Sequence, residues 1–196
     1  EDDHDNIVET AFNGTILHSG RKSCEDGAVA ESKTTLDYKL SVKEIYEFAK
    51  TVAYEDIEFI LESRTLNLAL ANEGLNGNYG LRVGYCINRD CNQEVFGGDF
   101  LSYAMSLTAA ASDARMAGCT LAAMSNSGSG NQGITVTMPV IAYSLRYGTS
   151  DEDLARALVL SHLVAIHIKG YLGKLSALCG CVIASTGSSC GLVYLR

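Results

Sequence analysis

The sequence predicts a mainly α (α+β) fold, in which a helical domain follows a small N-terminal β-hairpin. Asn13-Gly14 lies between two short runs of strand-forming residues, and from Ser41 onward apolar residues recur at helical spacing behind capping residues. The chain has 196 residues, of which 47% are hydrophobic and 19% charged, enough for a substantial core. We therefore expect a single domain, with the hairpin and a loop in residues 1–40 and the helical part in residues 41–196.

The hairpin is predicted over residues 6–19. Ile7-Val8 and Thr15-Ile16-Leu17 provide its two strands, and Asn-Gly is the strongest short signal for the turn between them. Residues 24–33 are polar and are expected to form a loop.

The first two helices are predicted from their N-terminal residues and their apolar faces. Ser41 is a suitable N-cap, and Glu44 is placed to complete a capping box with it. A second helix is expected over about residues 54–72, where acidic residues precede the apolar stripe. Glycines in residues 73–80 end it, and residues 81–87 are expected to form a short strand or an extended linker.

The second half of the chain is predicted to be helical around one polar loop. Gly97-Gly98 precedes a helix that ends at about Ala117, and Ser150 with Asp153 caps a later one. The helices predicted after the loop cover residues 134–147, 151–169 and 174–194.

Charge is unevenly distributed along the chain. The formal net charge is −8, and residues 1–63 hold 15 acidic and 6 basic residues while the remainder holds 8 and 9. The acidic part is typical of a solvated layer, and the near-neutral part of an interior or an interface. Because Lys and Arg are not clustered, we expect no nucleic-acid partner.

The cysteines and the apolar C-terminal run bear on location. Seven cysteines without disulfide-framework spacing, and no signal peptide, favour a cytoplasmic protein whose thiols are free or bound to metal. The uncharged run 175–195 is long enough to span a bilayer, but its Gly, Ser, Thr and Cys content favours a buried core helix and no membrane partner. Glu1 and the apolar stretch before Arg196 indicate a piece of a longer protein.

A loop rich in small polar residues is the first candidate site. It runs Ser125-Asn126-Ser127-Gly128-Ser129-Gly130-Asn131-Gln132-Gly133, before a helix expected to start near Ile134. Backbone N–H groups at a helix N-terminus attract anions such as a substrate carboxylate. The alternative is a flexible surface linker. The substrate-binding candidates are Ser125, Asn126, Ser127, Gly128, Ser129, Gly130, Asn131 and Gln132.

Cys179 and Cys181 are the candidate metal ligands. Two residues apart on a helix, their side chains would point about 200° away from each other, so at most one would bind an iron unless the helix is interrupted. The alternative is that both are buried structural thiols.

His162 and Lys169 are the candidate proton acceptors, seven residues apart on an otherwise apolar helix face. A buried Lys has a lowered pKa, although a Lys near a helix C-terminus more often caps it. His162 is either a core histidine with a satisfied hydrogen bond or a substrate contact. Asp113 and Arg115 are interpreted as a structural pair that shapes the loop.

Four segments together resemble one known family. They are Ala114-Arg115-Met116, the Met124–Ile134 string, Ser161-His162-Leu163-Val164 and Leu175-Ser176-Ala177-Leu178-Cys179-Gly180-Cys181. The chain resembles the L-cysteine desulfidase family, which is related to the alpha chain of the iron–sulfur L-serine dehydratases. The resemblance covers most of the chain from about residue 40, including Asn76–Gly84.

The resemblance implies a β-eliminating lyase for a small L-amino acid. L-Cysteine would give sulfide, ammonia and pyruvate, and L-serine would give ammonia and pyruvate, without pyridoxal phosphate. A 4Fe–4S cluster held by three thiolates would leave one iron open as a Lewis acid. The family's early Gly-Cys-Thr-Glu-Pro motif and its later Ile-Cys-Asp-Gly-Ala-Lys motif are absent here. We therefore expect the cluster in the full-length protein, and little activity in this chain alone.

The residues leave two further functions open. The chain could be a non-catalytic module that binds a small amino acid through the loop, or a structural helical subunit. Exposed apolar surface would favour association into a homo-oligomer. The choice between cysteine and serine as substrate cannot be read from the sequence.

Overall fold

The computed structural model describes residues 9–19, 40–89, 92–172 and 179–196. The chain separates into two compact units, residues 1–39 and residues 40–196. The first contains a two-stranded antiparallel sheet and the second contains helices. The predicted mainly α fold with a small N-terminal hairpin is confirmed.

The hairpin pairs β1 (Glu9–Phe12) with β2 (Thr15–Ser19). Its turn residues, Asn13 and Gly14, have φ values of 49° and 82°. Positive φ at both central positions is the geometry of the type I′ turn that joins two twisted strands, and Asn-Gly favours it. The predicted Ile7-Val8 strand and the loop at residues 24–33 lie outside the described residues.

The helical unit consists of helices joined by short connections. In chain order these are α1 (Val42–Thr51), α2 (Tyr54–Ile57), a 3₁₀ turn (Glu58–Leu61), α3 (Glu62–Asn76), α4 (Val83–Asn88), α5 (Gln93–Phe96), α6 (Phe100–Met116), α7 (Gly130–Tyr147), α8 (Asp151–Leu172) and α9 (Gly180–Leu195).

Both predicted N-caps are confirmed. The Glu44 N–H donates to Ser41 Oγ at 3.2 Å, and the Ser41 N–H donates to Glu44 Oε2 at 3.0 Å, which completes the capping box. At the start of α8, the Asp153 N–H donates to Ser150 Oγ at 3.0 Å. Each cap satisfies a backbone donor that the helix leaves without a partner.

The prediction of a strand or linker at residues 81–87 is wrong, because α4 occupies most of this segment. The Gly84 N–H donates to Asp113 Oδ2 at 3.0 Å, and Ser106 Oγ donates to the Gly84 carbonyl at 2.8 Å. These bonds to α6 hold a short helix whose own residues have low helix propensity. The helix predicted over residues 54–72 is also interrupted, by the 3₁₀ turn, and α3 continues to Asn76.

The core forms where α7 and α8 pack against each other and against α1, α3 and α6, and α9 packs along α8. Large side chains of α7 and α8, such as Ile134, Met138 and Leu158, are fully buried. The backbones of α8 and α9 approach closely, because a Cβ atom on Gly187 would lie 2.4 Å from the Ser161 carbonyl oxygen. Pro139 lies inside α7.

The helix predicted over 174–194 corresponds to α9, which begins only at Gly180 because Cys179 has an extended backbone. One face of α9 is buried, including Ile183 and Ala184, whereas Val182 and Val193 are exposed. Within the described ranges, no helix is both long and apolar enough to cross a membrane.

Candidate functional site

The loop at residues 125–129 is an ordered turn. Asn126 and Ser129 exchange two backbone hydrogen bonds of 3.0 and 2.9 Å. Between them, Ser127 and Gly128 have φ values of 49° and 79°. This is again a type I′ turn, with a left-handed serine at its first central position. The geometry is that of a fixed hairpin turn and not of a flexible linker.

Helix α7 begins at Gly130 and not near Ile134 as predicted. Ser129 is its N-cap, since the Gln132 N–H donates to Ser129 Oγ at 3.3 Å. The second half of the predicted loop therefore forms the first turn of α7. Gly133 is required there, because a Cβ atom would lie 1.9 Å from the Met124 carbonyl oxygen.

A buried asparagine of α3 fixes the irregular segment that precedes the turn. Asn67 Oδ1 accepts from the Met124 N–H at 2.9 Å, and its Nδ2 donates to Thr137 Oγ1 at 2.8 Å. The segment is thus tied to both α3 and α7, which sets where the turn lies.

Asn126 is the centre of a buried hydrogen-bond network. Its Oδ1 accepts from Gln132 Nε2 at 2.6 Å and from Ser127 Oγ at 3.0 Å. Its Nδ2 lies 2.9 Å from His162 Nδ1 and 3.3 Å from the His162 carbonyl oxygen. The network joins the turn and the start of α7 to the middle of α8.

His162 is 8% exposed, and its Nε2 is buried without a hydrogen-bond partner among the described residues. Burial lowers the pKa of this imidazole to about 4, because the charged form loses its hydration. The ring is therefore neutral near neutral pH. Lys169, the other predicted proton acceptor, lies two turns further along α8 and is half-buried.

Arg115 packs against the first residue of α7. A Cβ atom on Gly130 would lie 2.3 Å from Arg115 Nε, and Arg115 Nη1 donates to Asn131 Oδ1 at 3.0 Å. The guanidinium lines an open cavity of about 550 Å³, which Ser125 and Gly128 also line. A cation at the positive end of a helix is unfavourable by itself, so this cavity favours an anionic group.

The prediction that Asp113 pairs with Arg115 is wrong, since Asp113 accepts from Gly84 and Arg115 donates to Asn131. Two residues apart on α6, the two side chains point about 200° away from each other. The same spacing could have shown from the sequence that Arg115 faces the loop and Asp113 does not.

Cys179 and Cys181 are neighbours in space. Cys179 is the N-cap of α9 with extended backbone, and Cys181 lies in the first turn. Hydrogen bonds from the Cys181 backbone N–H and the Cys181 thiol lower the pKa of Cys179, while the partial desolvation of the Cys181 sulfur raises the pKa of Cys181. The expected divergence of about 200° does not hold, because it applies only when both residues are helical. Both residues are exposed, so neither is a buried structural thiol.

The two cysteines lie against the first turns of α7. A Cβ atom on Gly180 would lie 3.1 Å from Gln132 Oε1, and the Thr135 hydroxyl hydrogen-bonds to the Cys181 sulfur. Gly130 faces Arg115 and its cavity, whereas Gln132 faces the cysteines. The structure thus brings the thiols and the Arg115 cavity to different sides of the same helical turn. Within the described ranges, no group of three or more His, Cys, Asp or Glu side chains is arranged to hold a metal ion.

Comparisons with known proteins agree on one family. The family model for the serine dehydratase alpha chain matches residues 17–196. The chain is 48% identical over 194 residues to a UPF0597 protein of Oleidesulfovibrio alaskensis, covering 98% of this chain and 44% of that protein. It is 45% identical over 195 residues to a UPF0597 protein of Phocaeicola vulgatus, with coverage of 98% and 44%.

A third relative is the UPF0597 protein YhaM of Escherichia coli, which is 44% identical over 192 residues, with 98% of this chain and 44% of that protein covered. The chain therefore spans less than half the length of these curated relatives. No solved structure matches the chain.

Proposed function

Because the chain belongs to the serine dehydratase alpha chain family, we propose that it forms part of a β-eliminating lyase for a small L-amino acid. The substrate is L-cysteine, giving sulfide, ammonia and pyruvate, or L-serine, giving ammonia and pyruvate. Loss of the α-proton and of the β-substituent leaves an enamine, which water converts to pyruvate and ammonia. The reaction in this proposal belongs to a protein as long as the chain's relatives.

The observation that carries the proposal is the contact between the first turns of α7 and the thiol pair. Gln132 lies against Gly180, and Thr135 hydrogen-bonds to Cys181. The polar turn and the two soft metal ligands thus lie against the same first turns of α7, on different sides of them, although they are about 50 residues apart in sequence.

The substrate carboxylate binds, in this proposal, at the N-terminal turn of α7. Free backbone N–H groups and the helix dipole favour an anion there, and Arg115 adds a full positive charge. Of the turn that precedes α7, Ser125 and Gly128 line the same cavity as Arg115. Because the Asn126 network fixes this turn, the donors need little rearrangement when the substrate binds.

The thiols fit an iron–sulfur cluster in part. Cys179 and Cys181 present two neighbouring sulfur ligands, and the hydrogen bonds that lower the pKa of Cys179 favour its thiolate. The described residues supply no complete ligand set, so the proposal takes the remaining ligands from outside them. A bound 4Fe–4S cluster would supply an open iron as Lewis acid for the departing thiolate or hydroxyl.

The proton acceptor in this proposal is Lys169. Gly187 packs against Ser161 and Gly191 against Ala157, so α8 and α9 run antiparallel, and in this register Lys169 lies towards the first turn of α9. An amine near the thiol pair could accept the α-proton in its uncharged form. No pyridoxal lysine is required.

The test uses the full-length protein, meaning a protein that contains this chain and is as long as its relatives. Its enzymatic activity is measured after anaerobic reconstitution with iron and sulfide. We expect pyruvate from L-serine or L-cysteine, and sulfide from L-cysteine only. Cys179→Ser should lower turnover at least tenfold, whereas Cys86→Ser, at an exposed cysteine of α4, should not. Absence of pyruvate from both amino acids, with the cluster intact, would contradict the proposal.

A second candidate function is a non-catalytic module that binds a small amino acid. It is favoured by the Asn126 network, which orders the turn and the start of α7 without any metal. Calorimetry of the chain with L-serine or L-cysteine separates this function from a purely structural helical subunit, which would show no heat of binding. The free cysteines of the described residues suit a reducing compartment, and we propose a cytoplasmic location.

A further inference from the structure

We infer that His162 is a positioning residue: a neutral imidazole that carries its proton on Nε2 and holds Asn126 through Nδ1. One consequence of this inference is that His162 is not the base which accepts the α-proton, and that consequence rests on the proposed function. The assignment of the His162 tautomer does not depend on the proposed function.

The orientation of the Asn126 amide is fixed by its surroundings. Its Nδ2 lies 3.3 Å from the His162 carbonyl oxygen, which can only accept a hydrogen bond. Reversing the amide would place Oδ1 against that carbonyl oxygen. In the observed orientation Oδ1 accepts from Gln132 Nε2 and Ser127 Oγ, so both ends of the amide are satisfied.

The amide orientation determines the histidine tautomer. Because the NH₂ group of Asn126 faces His162 Nδ1 at 2.9 Å, Nδ1 must accept and cannot carry a hydrogen. A neutral imidazole has one N–H, so the hydrogen is on Nε2. Protonation of Nδ1 would place two donors against each other, and burial opposes the charged ring in addition.

A general base needs its free lone pair to point at the substrate. The single lone pair of His162 is on Nδ1, where Asn126 occupies it. Nε2 carries the hydrogen and is closed to solvent. His162 therefore has no lone pair to offer a substrate while the network is intact.

What His162 does instead follows from the position of Asn126. Asn126 is the first residue of the type I′ turn and exchanges backbone hydrogen bonds with Ser129, the N-cap of α7. Fixing the Asn126 side chain fixes the turn, and with it the donors at the start of α7. The effect of His162 on a ligand passes through Asn126.

Nitrogen NMR of the chain with ¹⁵N-labelled histidine tests the tautomer without any activity. The His162 signals are identified by their loss in His162→Asn. We expect Nδ1 at the shift of an unprotonated nitrogen and Nε2 at that of a protonated one, unchanged between about pH 7 and pH 5.5. In Asn126→Asp, which replaces the NH₂ donor by an oxygen, the proton should move to Nδ1. A protonated Nδ1 in the unmodified chain would overturn the inference.

The enzymatic activity of the full-length protein tests the positioning role of His162. Asparagine at position 162 can present an acceptor near the place of Nδ1 but cannot act as a base. We expect His162→Asn to keep turnover within about tenfold and His162→Leu to lose about 10²-fold or more, with a raised KM. His167→Asn, on the same helix, is the matched control. Equal loss in the Asn and Leu variants, with KM unchanged, would assign His162 as the base and overturn the inference.

The two proposals fail in different ways. If no variant and no unmodified protein forms pyruvate, the proposed lyase function fails while the NMR result still decides the tautomer. If the unmodified protein is active and Nδ1 is protonated, the lyase function stands and the positioning role does not.

Discussion

Burial of the His162 imidazole couples the stability of the helical unit to pH. Its pKa in the folded chain is about 4, against about 6.5 when unfolded. Between these pH values the unfolded state binds more protons than the folded state. The stability that depends on a neutral imidazole is therefore fully present above about pH 6.5 and is lost as the pH falls towards 4. Lowering the pH from about 7 to about 5 should cost about 2 kcal/mol of unfolding free energy.

Urea unfolding of the chain at both pH values measures this loss. His162→Asn removes the titrating group and should remove that part of the pH dependence. The same change in unfolding free energy in the variant and the unmodified chain would contradict the assignment to His162.

A second prediction at the scale of residues concerns Arg115. If its guanidinium binds a carboxylate, Arg115→Gln should weaken the binding of L-serine by about 10- to 100-fold, the effect of a lost charged hydrogen bond. Calorimetry with L-serine and L-serinamide measures it, and the amide should show little difference between variants. Arg146→Gln is the matched control, because Arg146 donates to the Asp99 and Gly98 carbonyls instead. Unchanged affinity for L-serine in Arg115→Gln would exclude Arg115 from the site.

At the scale of elements, two helical glycines should respond in opposite ways to alanine. Gly133→Ala places a methyl group against the Met124 carbonyl and should cost about 2 kcal/mol or more. Gly170→Ala in α8 meets no atom within 4 Å and should stabilise the helix by about 0.5 kcal/mol or more. Denaturant unfolding of both variants measures the difference. A neutral Gly133→Ala would show that the preceding segment can move away from α7.

Elements with strong local signals were predictable from the sequence. Asn13-Gly14 specifies a turn, and Ser41 with Glu44 specifies a helix start, because both structures form from neighbouring residues alone. Helix α4 was not predictable, because its stability comes from Asp113 and Ser106 of α6, distant in sequence. The same limit applies to Cys179 and Cys181, whose proximity depends on where α9 begins.

The candidate site shows the same division. Its polar loop was recognisable from composition, but the start of α7 at Gly130 depends on Ser129 acting as a cap inside a run of similar residues. The pairing of Asn126 with His162 joins residues 36 positions apart and leaves no sequence signal. Arg115 was visible in sequence but was assigned to the wrong partner.

At the scale of the whole molecule, the described residues should not hold a 4Fe–4S cluster alone. Anaerobic reconstitution of this chain with iron and sulfide should leave no stable visible absorption band, because Cys179 and Cys181 form only a pair and a cluster takes at least three thiolates. The full-length protein, treated identically, should show the absorption band. An intact cluster on the chain alone would mean that its other cysteines complete the ligand set.

Pro139 is the single proline of the chain, and it lies in the interior of α7. Since proline has no N–H, the carbonyl of Thr135, four residues earlier, receives no helical hydrogen bond from it. The N-terminal segment of α7, which touches both the guanidinium and the sulfur atoms, is therefore joined to the remainder by one hydrogen bond fewer. Proline favours a bend at its position in a helix, so the segment before Pro139 need not keep the axis direction of the residues after it.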